Sequence, residues 1–216
     1  AIIKAYSREE KLEPGSAEIL IFTGALLMGR GFLDAAIDNY TQAIKIKPDF
    51  ADSYLCMGNV LKKKGDLAAA KDYFKKTVKI KPDIAEAYNN LGLILSAEGE
   101  LNAAIDQYKK ALKVQPNYAQ AFNNIGVALH RKGELDVAID QYKRALKINP
   151  DYAEAYYNMG GTFSERADKL DNCIDSYKQA LKIKPDYADA YFSLHGTAVD
   201  IAEAKNWLIE CLKYDC

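Results

Sequence analysis

Six prolines, Pro14, Pro48, Pro82, Pro116, Pro150 and Pro185, recur at intervals of 34 residues, with 35 for the last. A helix breaker returning at so long and regular an interval dictates a stack of repeated supersecondary units, not one globule. Laying the segments that begin at Ala17, Ala51, Ala85, Ala119 and Ala153 over one another gives a single template. Near the start stands an aromatic in four of them (Tyr54, Tyr88, Phe122, Tyr156) and Leu20 in the first. Four residues on comes a glycine (Gly24, Gly58, Gly92, Gly126, Gly160), then Leu27, Leu61, Leu95, Leu129 and Phe163. A second glycine follows at Gly31, Gly65, Gly99 and Gly133. Beyond it Ala36, Ala70, Ala104 and Ala138 precede by four the aromatics Tyr40, Phe74, Tyr108 and Tyr142. Next come Ala43, Thr77, Ala111 and Ala145, and then the proline.

Both halves of the template run at the helical period of about 3.6, so each unit reads as two amphipathic helices joined by a glycine turn. A glycine inside a helix costs about 1 kcal/mol against alanine. Its return in every unit therefore implies a packing reason: small residues where helices cross closely, with aromatics filling the space beside them. The junctions carry lysines in the last turn, as in Lys79-Ile80-Lys81-Pro82-Asp83, opposing the negative end of the helix dipole. Asp49, Asp83, Asn117, Asp151 and Asp186 are the expected N-caps of the following helices. Asp52, Glu86, Gln120, Glu154 and Asp189, three residues on, give the spacing of a capping box.

This template resembles that of the tetratricopeptide repeat family over residues 17 to 187. The resemblance implies an all-α fold, a right-handed superhelical solenoid of antiparallel helix pairs, with first helices lining a concave face and second helices a convex one. The units are expected at 17–50, 51–84, 85–118, 119–152 and 153–187. The fifth has one extra residue in its turn, Arg166-Ala167-Asp168-Lys169, which places Cys173 in the small-residue slot. Residues 188–216 read as a degenerate repeat or C-terminal capping pair in which His195 replaces the glycine, and His195 is expected to pack within that cap. Residues 1–16 read as a partial repeat or N-terminal capping helix, with Ile2 and Tyr6 in the small and aromatic slots.

The charge balance sets what such an array meets. Lys plus Arg number 29 and Asp plus Glu 30, for a net charge of -1, so no long-range field draws in nucleic acid or an anionic membrane. No apolar run approaches the roughly 18 residues a bilayer span needs, and the N-terminus becomes charged too early for a signal peptide. A cytoplasmic location, no nucleic acid and no membrane insertion are expected. Since the sequence opens on Ala1, a processed chain or a part of a longer one is also expected. Cys56, Cys173, Cys211 and Cys216 form no C-x-x-C and stand apart from the two histidines, so free thiols and no zinc site are expected.

Nothing in the chain reads as catalytic. Phosphate-loop, nucleophile-elbow and zinc-protease motifs are missing, and Gly29-Arg30-Gly31 falls in an inter-helix turn. No enzyme activity, cofactor or metal is expected. His130 falls near the end of a first helix and reads as a solvated polar residue. Lys109, Lys110, Lys113, Lys143, Arg144 and Lys147 recur on second helices, where a solvated face is the expected reading and a basic ridge for an acidic partner the alternative.

Function should then lie in what the first helices present inward. Asn90, Asn124 and Asn158 stand two residues before the first-helix glycine, where earlier units have Phe22 and Cys56. A side-chain amide offers a donor and an acceptor and so suits an extended peptide backbone. The row resembles the asparagine ladder of the O-linked N-acetylglucosamine transferase repeats; the alternative reading is that asparagine, common at this position in the family, only bonds neighbouring helices. Asn59, Asn89 and Asn123, with Lys62, Lys63 and Arg131, extend the polar middle. Ile21, Phe22, Ala25, Met28, Leu55 and Cys56 make the inner face of the first units apolar, a patch that implies a cover: a partner segment, residues 1–16 or a second copy of the chain. The two-carboxylate clamp of chaperone-tail repeats is not expected, because Leu55, Gln120 and Asn124 stand where it needs cations. The leading expectation is a non-enzymatic scaffold for protein–protein interaction, holding a peptide or protein segment in the concave groove. The alternatives are a targeting region of a larger glycosyltransferase or sulfotransferase, and self-assembly into a homo-oligomer through apolar array ends around Ile2, Ile3 and Trp207.

Overall fold

The computed structural model describes residues 13, 15–166 and 169–197. The expected N-terminal helix and most of the C-terminal cap, with Ile2, Ile3, Tyr6 and Trp207, lie outside the described residues. Within them the fold is all-α, and no strand occurs. The helices are α1 (Ala17–Gly29), α2 (Leu33–Ile46), α3 (Ala51–Lys64), α4 (Leu67–Ile80), α5 (Ala85–Ala97), α6 (Leu101–Val114), α7 (Ala119–Arg131), α8 (Leu135–Ile148), α9 (Ala153–Ser164), α10 (Leu170–Ile183) and α11 (Ala188–Thr197). The chain divides after Glu98 into two compact units.

In the first unit α1 packs on α2 and α3 on α4, while α2 also meets α3 and α4 meets α5. The second repeats the scheme with α7 on α8, α9 on α10, and α8 against α9. This is the helix-pair stacking of a tetratricopeptide solenoid. In four helix pairs the buried aromatic of the second helix lies against the glycine of its own first helix. A Cβ built on Gly24 would stand 2.4 Å from the Tyr40 ring, and one on Gly58 2.5 Å from Phe74. In the second unit the same holds for Gly126 with Tyr142 at 2.5 Å and for Gly160 with Tyr177 at 2.8 Å. The glycine is thus a socket for a ring, and this offsets its poor helix propensity. Tyr40 also joins Ala36, Met57 and Val60 in a core shared by α2 and α3, and Phe74 joins Ala70, Leu91 and Ile94 between α4 and α5.

The turn inside a pair is held by a left-handed glycine. Gly65 has φ 91°, its N–H donates to the Lys62 carbonyl, and Asp66 N–H reaches back to Leu61. This closes the C-terminus of α3. Gly31, Gly99 and Gly133 have the same sign of φ.

The other junction corrects the expected caps. Helices α3, α5, α7 and α9 are preceded at the N-cap by Phe50, Ile84, Tyr118 and Tyr152, none of which supplies a side-chain cap. Asp49 and its counterparts stand one residue too early. The cause is visible at Pro48: Phe50 N–H donates to the Lys47 carbonyl at 3.1 Å, so Lys47-Pro48-Asp49-Phe50 is a β-turn with proline at its second position. The acidic residue is used in the turn, and the helix starts only after the next, apolar residue. Tyr54 secures the same turn through its hydroxyl, which donates to the Pro48 carbonyl at 2.8 Å. Side-chain caps do occur elsewhere, at Ser16 for α1 and Asp66 for α4. Lysines occupy the last turn of second helices as expected, at Lys45, Lys79, Lys113, Lys147 and Lys182.

In the longer fifth turn Lys169 N–H bonds the Arg166 carbonyl, and the Arg166 guanidinium pairs with Asp136 of α8. Cys173 is fully buried in its small-residue slot. Helix α11 buries Ala190, Tyr191 and Leu194, but His195 is exposed, which corrects the expectation that it packs in a cap.

Candidate functional site

Within the first unit the polar residues of α3 and α5 are bonded to one another. The Asn90 amide nitrogen donates to Asn59 Oδ1 at 2.9 Å, and Asn59 Nδ2 donates to Glu86 Oε1 at 2.9 Å. Lys62 Nζ donates to Asn90 Oδ1 at 2.7 Å. The result is a chain Lys62–Asn90–Asn59–Glu86 across two neighbouring first helices. Asn90 and Asn89 are each 4% exposed, whereas Asn59 and Lys62 remain half-buried. Burial lowers the Lys62 ammonium from its ordinary value, and the Glu86 carboxylate works against that shift. Lys63 turns away and donates to the Met28 carbonyl, in the last turn of α1, at 3.2 Å. There its charge opposes the helix dipole.

Most apolar residues of this face are packed within the chain. Ile21, Met28 and Cys56 pack against the core of Ala36, Tyr40, Met57 and Val60, and Leu55 packs against that of Phe74. Phe22 is half-buried too, and only Ala25 stands exposed. The stacking of α3 on α1 and α2 thus covers part of this apolar face from within the chain. Burial, with the Asp52 and Glu86 carboxylates, pushes the Cys56 thiol up to about 12, so it stays a protonated, unreactive thiol.

The second unit repeats the bond from the same donor position, but its acceptor lies one helical turn earlier, 35 residues back instead of 31. Asn158 of α9 donates to Asn123 Oδ1 of α7 at 3.0 Å. Asn123 is 5% exposed, while Asn124 and Asn158 are half-buried. His130 joins the same two helices. Its Nδ1 lies 2.8 Å from Thr162 Oγ1 and its Nε2 2.6 Å from Glu165 Oε1. The Thr162 hydroxyl also donates to the Asn158 backbone carbonyl, which ties the histidine to the backbone of α9 one turn below. This corrects the reading of His130 as merely solvated. Arg131 is exposed beside it.

Sequence reasoning missed Glu86, Thr162 and Glu165. Glu86 was assigned to a cap that does not form, and the other two carry no signal except register. Successive first helices lie side by side about one 34-residue repeat apart, so partners lie 27 to 35 residues apart. Among the described residues no cluster of three or more His, Cys, Asp or Glu could hold a metal ion. None of the described helices is long and apolar enough to cross a membrane.

Helix pairs in tandem, with glycine sockets in four of them and polar rows on first helices, define the class: an all-α repeat array of the protein-interaction kind. The chain belongs to the tetratricopeptide repeat family. The TPR repeat model matches residues 24–65, 93–133, 128–165 and 168–196, and a second tetratricopeptide repeat model matches 55–110. No curated protein matches the sequence significantly. Among solved structures, MamA is similar with 28% identity and a TM-score of 0.66, over 77% of this chain and 96% of that one. YrrB, described as a TPR protein with an unusual peptide-binding site, shares 24% identity with a TM-score of 0.63, over 89% and 97%. Pseudomonas aeruginosa pilF shares 16% identity with a TM-score of 0.77, over 92% and 88%. The fold is in general a scaffold for protein–protein interaction.

Proposed function

We propose that the chain is a non-enzymatic scaffold that holds an extended peptide or protein segment against the first helices of each unit. The observation that carries this reading is the bonded row Lys62–Asn90–Asn59–Glu86. A buried amide held from both ends is pre-oriented, so little ordering entropy remains to be lost when a ligand meets the row. The buried members, Asn89, Asn90 and Asn123, act as anchors. The half-buried ones, Asn59, Lys62, Asn124 and Asn158, carry the donors and acceptors that face a ligand backbone. Phe22, Ile21, Met28 and Leu55 supply an apolar flank in the first unit, and Arg131 a cation in the second. YrrB's peptide-binding site lends the class of ligand, on a fold likeness alone.

A peptide array probed with the full chain tests the reading, alongside Asn124→Ala and Phe22→Asp. Loss of signal on a common set of peptides in either variant, with helicity intact, supports it. Binding unchanged in both moves the contact away from the first helices.

A further inference from the structure

The cations of α6 and α8 stand apart from the polar rows. Helix α6 carries Lys109, Lys110 and Lys113, and α8 carries Lys143, Arg144 and Lys147 at the same register, all exposed. Among the described residues, none of these six forms an ion pair. On α4, by contrast, Lys71 pairs with Glu98 and Lys75 with Asp72.

Beside the C-terminal half of α8 opens a cleft of about 680 Å³, lined by Pro116, Asn117, Phe122, Arg144, Lys147 and Ile148. The guanidinium carbon of Arg144 lies 6.0 Å from the centroid of the Phe122 ring, so the ring steadies the cation at the cleft wall. Among the described residues its fork of N–H donors forms no ion pair. The cleft thus combines two unneutralised cations with an aromatic ring, a proline and an isoleucine.

We infer that this cleft is a second docking site, distinct from the first-helix rows, for an acidic peptide segment. Carboxylates would pair with Arg144 and Lys147, and a neighbouring apolar side chain would rest on Phe122 and Ile148. Guanidinium and carboxylate match in charge and in fork geometry. A peptide is favoured over nucleic acid on two grounds. The chain's net charge of -1 confines attraction to the patch, and beyond the two cations the ring, proline and isoleucine of the lining match an apolar side chain and not a phosphodiester backbone.

The test is fluorescence anisotropy of a capped glutamate-rich peptide with one central phenylalanine, titrated with the full chain at low and moderate salt. Its lysine-for-glutamate counterpart and a single-stranded oligonucleotide serve as comparison probes. The expected result is binding of the acidic peptide alone, weakened by salt and weakened about tenfold or more in Arg144→Glu/Lys147→Glu. Lys79→Glu/Lys81→Glu makes the same change in net charge on exposed residues of the first unit and should leave most of the affinity. Equal loss in both double variants, no loss in the first, or tighter binding of the oligonucleotide overturns the inference.

Discussion

Gly126 faces the ring of Tyr142 so closely that a methyl group on it would lie 2.5 Å from Cε1. Carbon atoms in contact settle near 3.5 to 4.0 Å, so the ring must shift or the two helices must part. Because Tyr142 is fully buried, neither is easy. Gly126→Ala is expected to destabilise the second unit by about 1–3 kcal/mol, even though the same exchange in an open helix gains about 1 kcal/mol. Urea unfolding followed by circular dichroism reads the effect, and Tyr142→Leu in the same chain should restore part of it. A gain in stability from the single variant would show that the ring swings aside freely.

Ser53 is the opposite case. Its hydroxyl is fully buried with no hydrogen-bond partner, and the next three repeats place Ala87, Ala121 and Ala155 at the same position. Ser53→Ala removes an unsatisfied polar atom and improves helix propensity, so a gain of about 0.5–1.5 kcal/mol is expected. A loss on thermal or urea unfolding would mean that the hydroxyl is bonded in solution.

Alkaline pH should unfold the second unit through its tyrosines. Burial pushes Tyr142, Tyr177 and Tyr187 up to about 12 from an ordinary 10.0. Since the unfolded chain releases these protons first, their contribution to stability is whole below about pH 10 and is lost as pH rises toward 12. Tyrosinate absorbance and helical signal, measured on one pH series, should show late-titrating tyrosines ionising together with helix loss. Ionisation of every tyrosine near its ordinary value with helices intact would refute this.

His130 joins α7 to α9 through Thr162 and Glu165. In His130→Ala the Thr162 hydroxyl keeps its bond to the Asn158 carbonyl and Glu165 keeps its water, so only the bridge is lost. The expected cost is about 1 kcal/mol. A double-mutant cycle with Glu165→Gln should give a coupling of the same sign, and additive effects would mean the pair is not formed.

Much of the fold can be read from residue order. The prolines end helices by removing a donor and blocking the preceding turn, and the second glycine of the first four units adopts a φ that other residues resist. Those are contacts with chain neighbours, so a string of residues suffices to place them. The pairing of Gly24 with Tyr40 is also implied, since any helix hairpin of this length brings the two together.

Stacking decided the rest. Whether Asn90 is a free amide or a bonded one depends on Asn59 and Lys62, more than a full helix away along the chain. The burial of Ile21 and Met28 depends on how closely α3 settles on α1 and α2. Even the shift of the helix start from Asp49 to Phe50 comes from a turn that competes for the same backbone groups. A polar side chain takes whichever partner the packed helices bring within about 3 Å, and that choice belongs to the assembled stack.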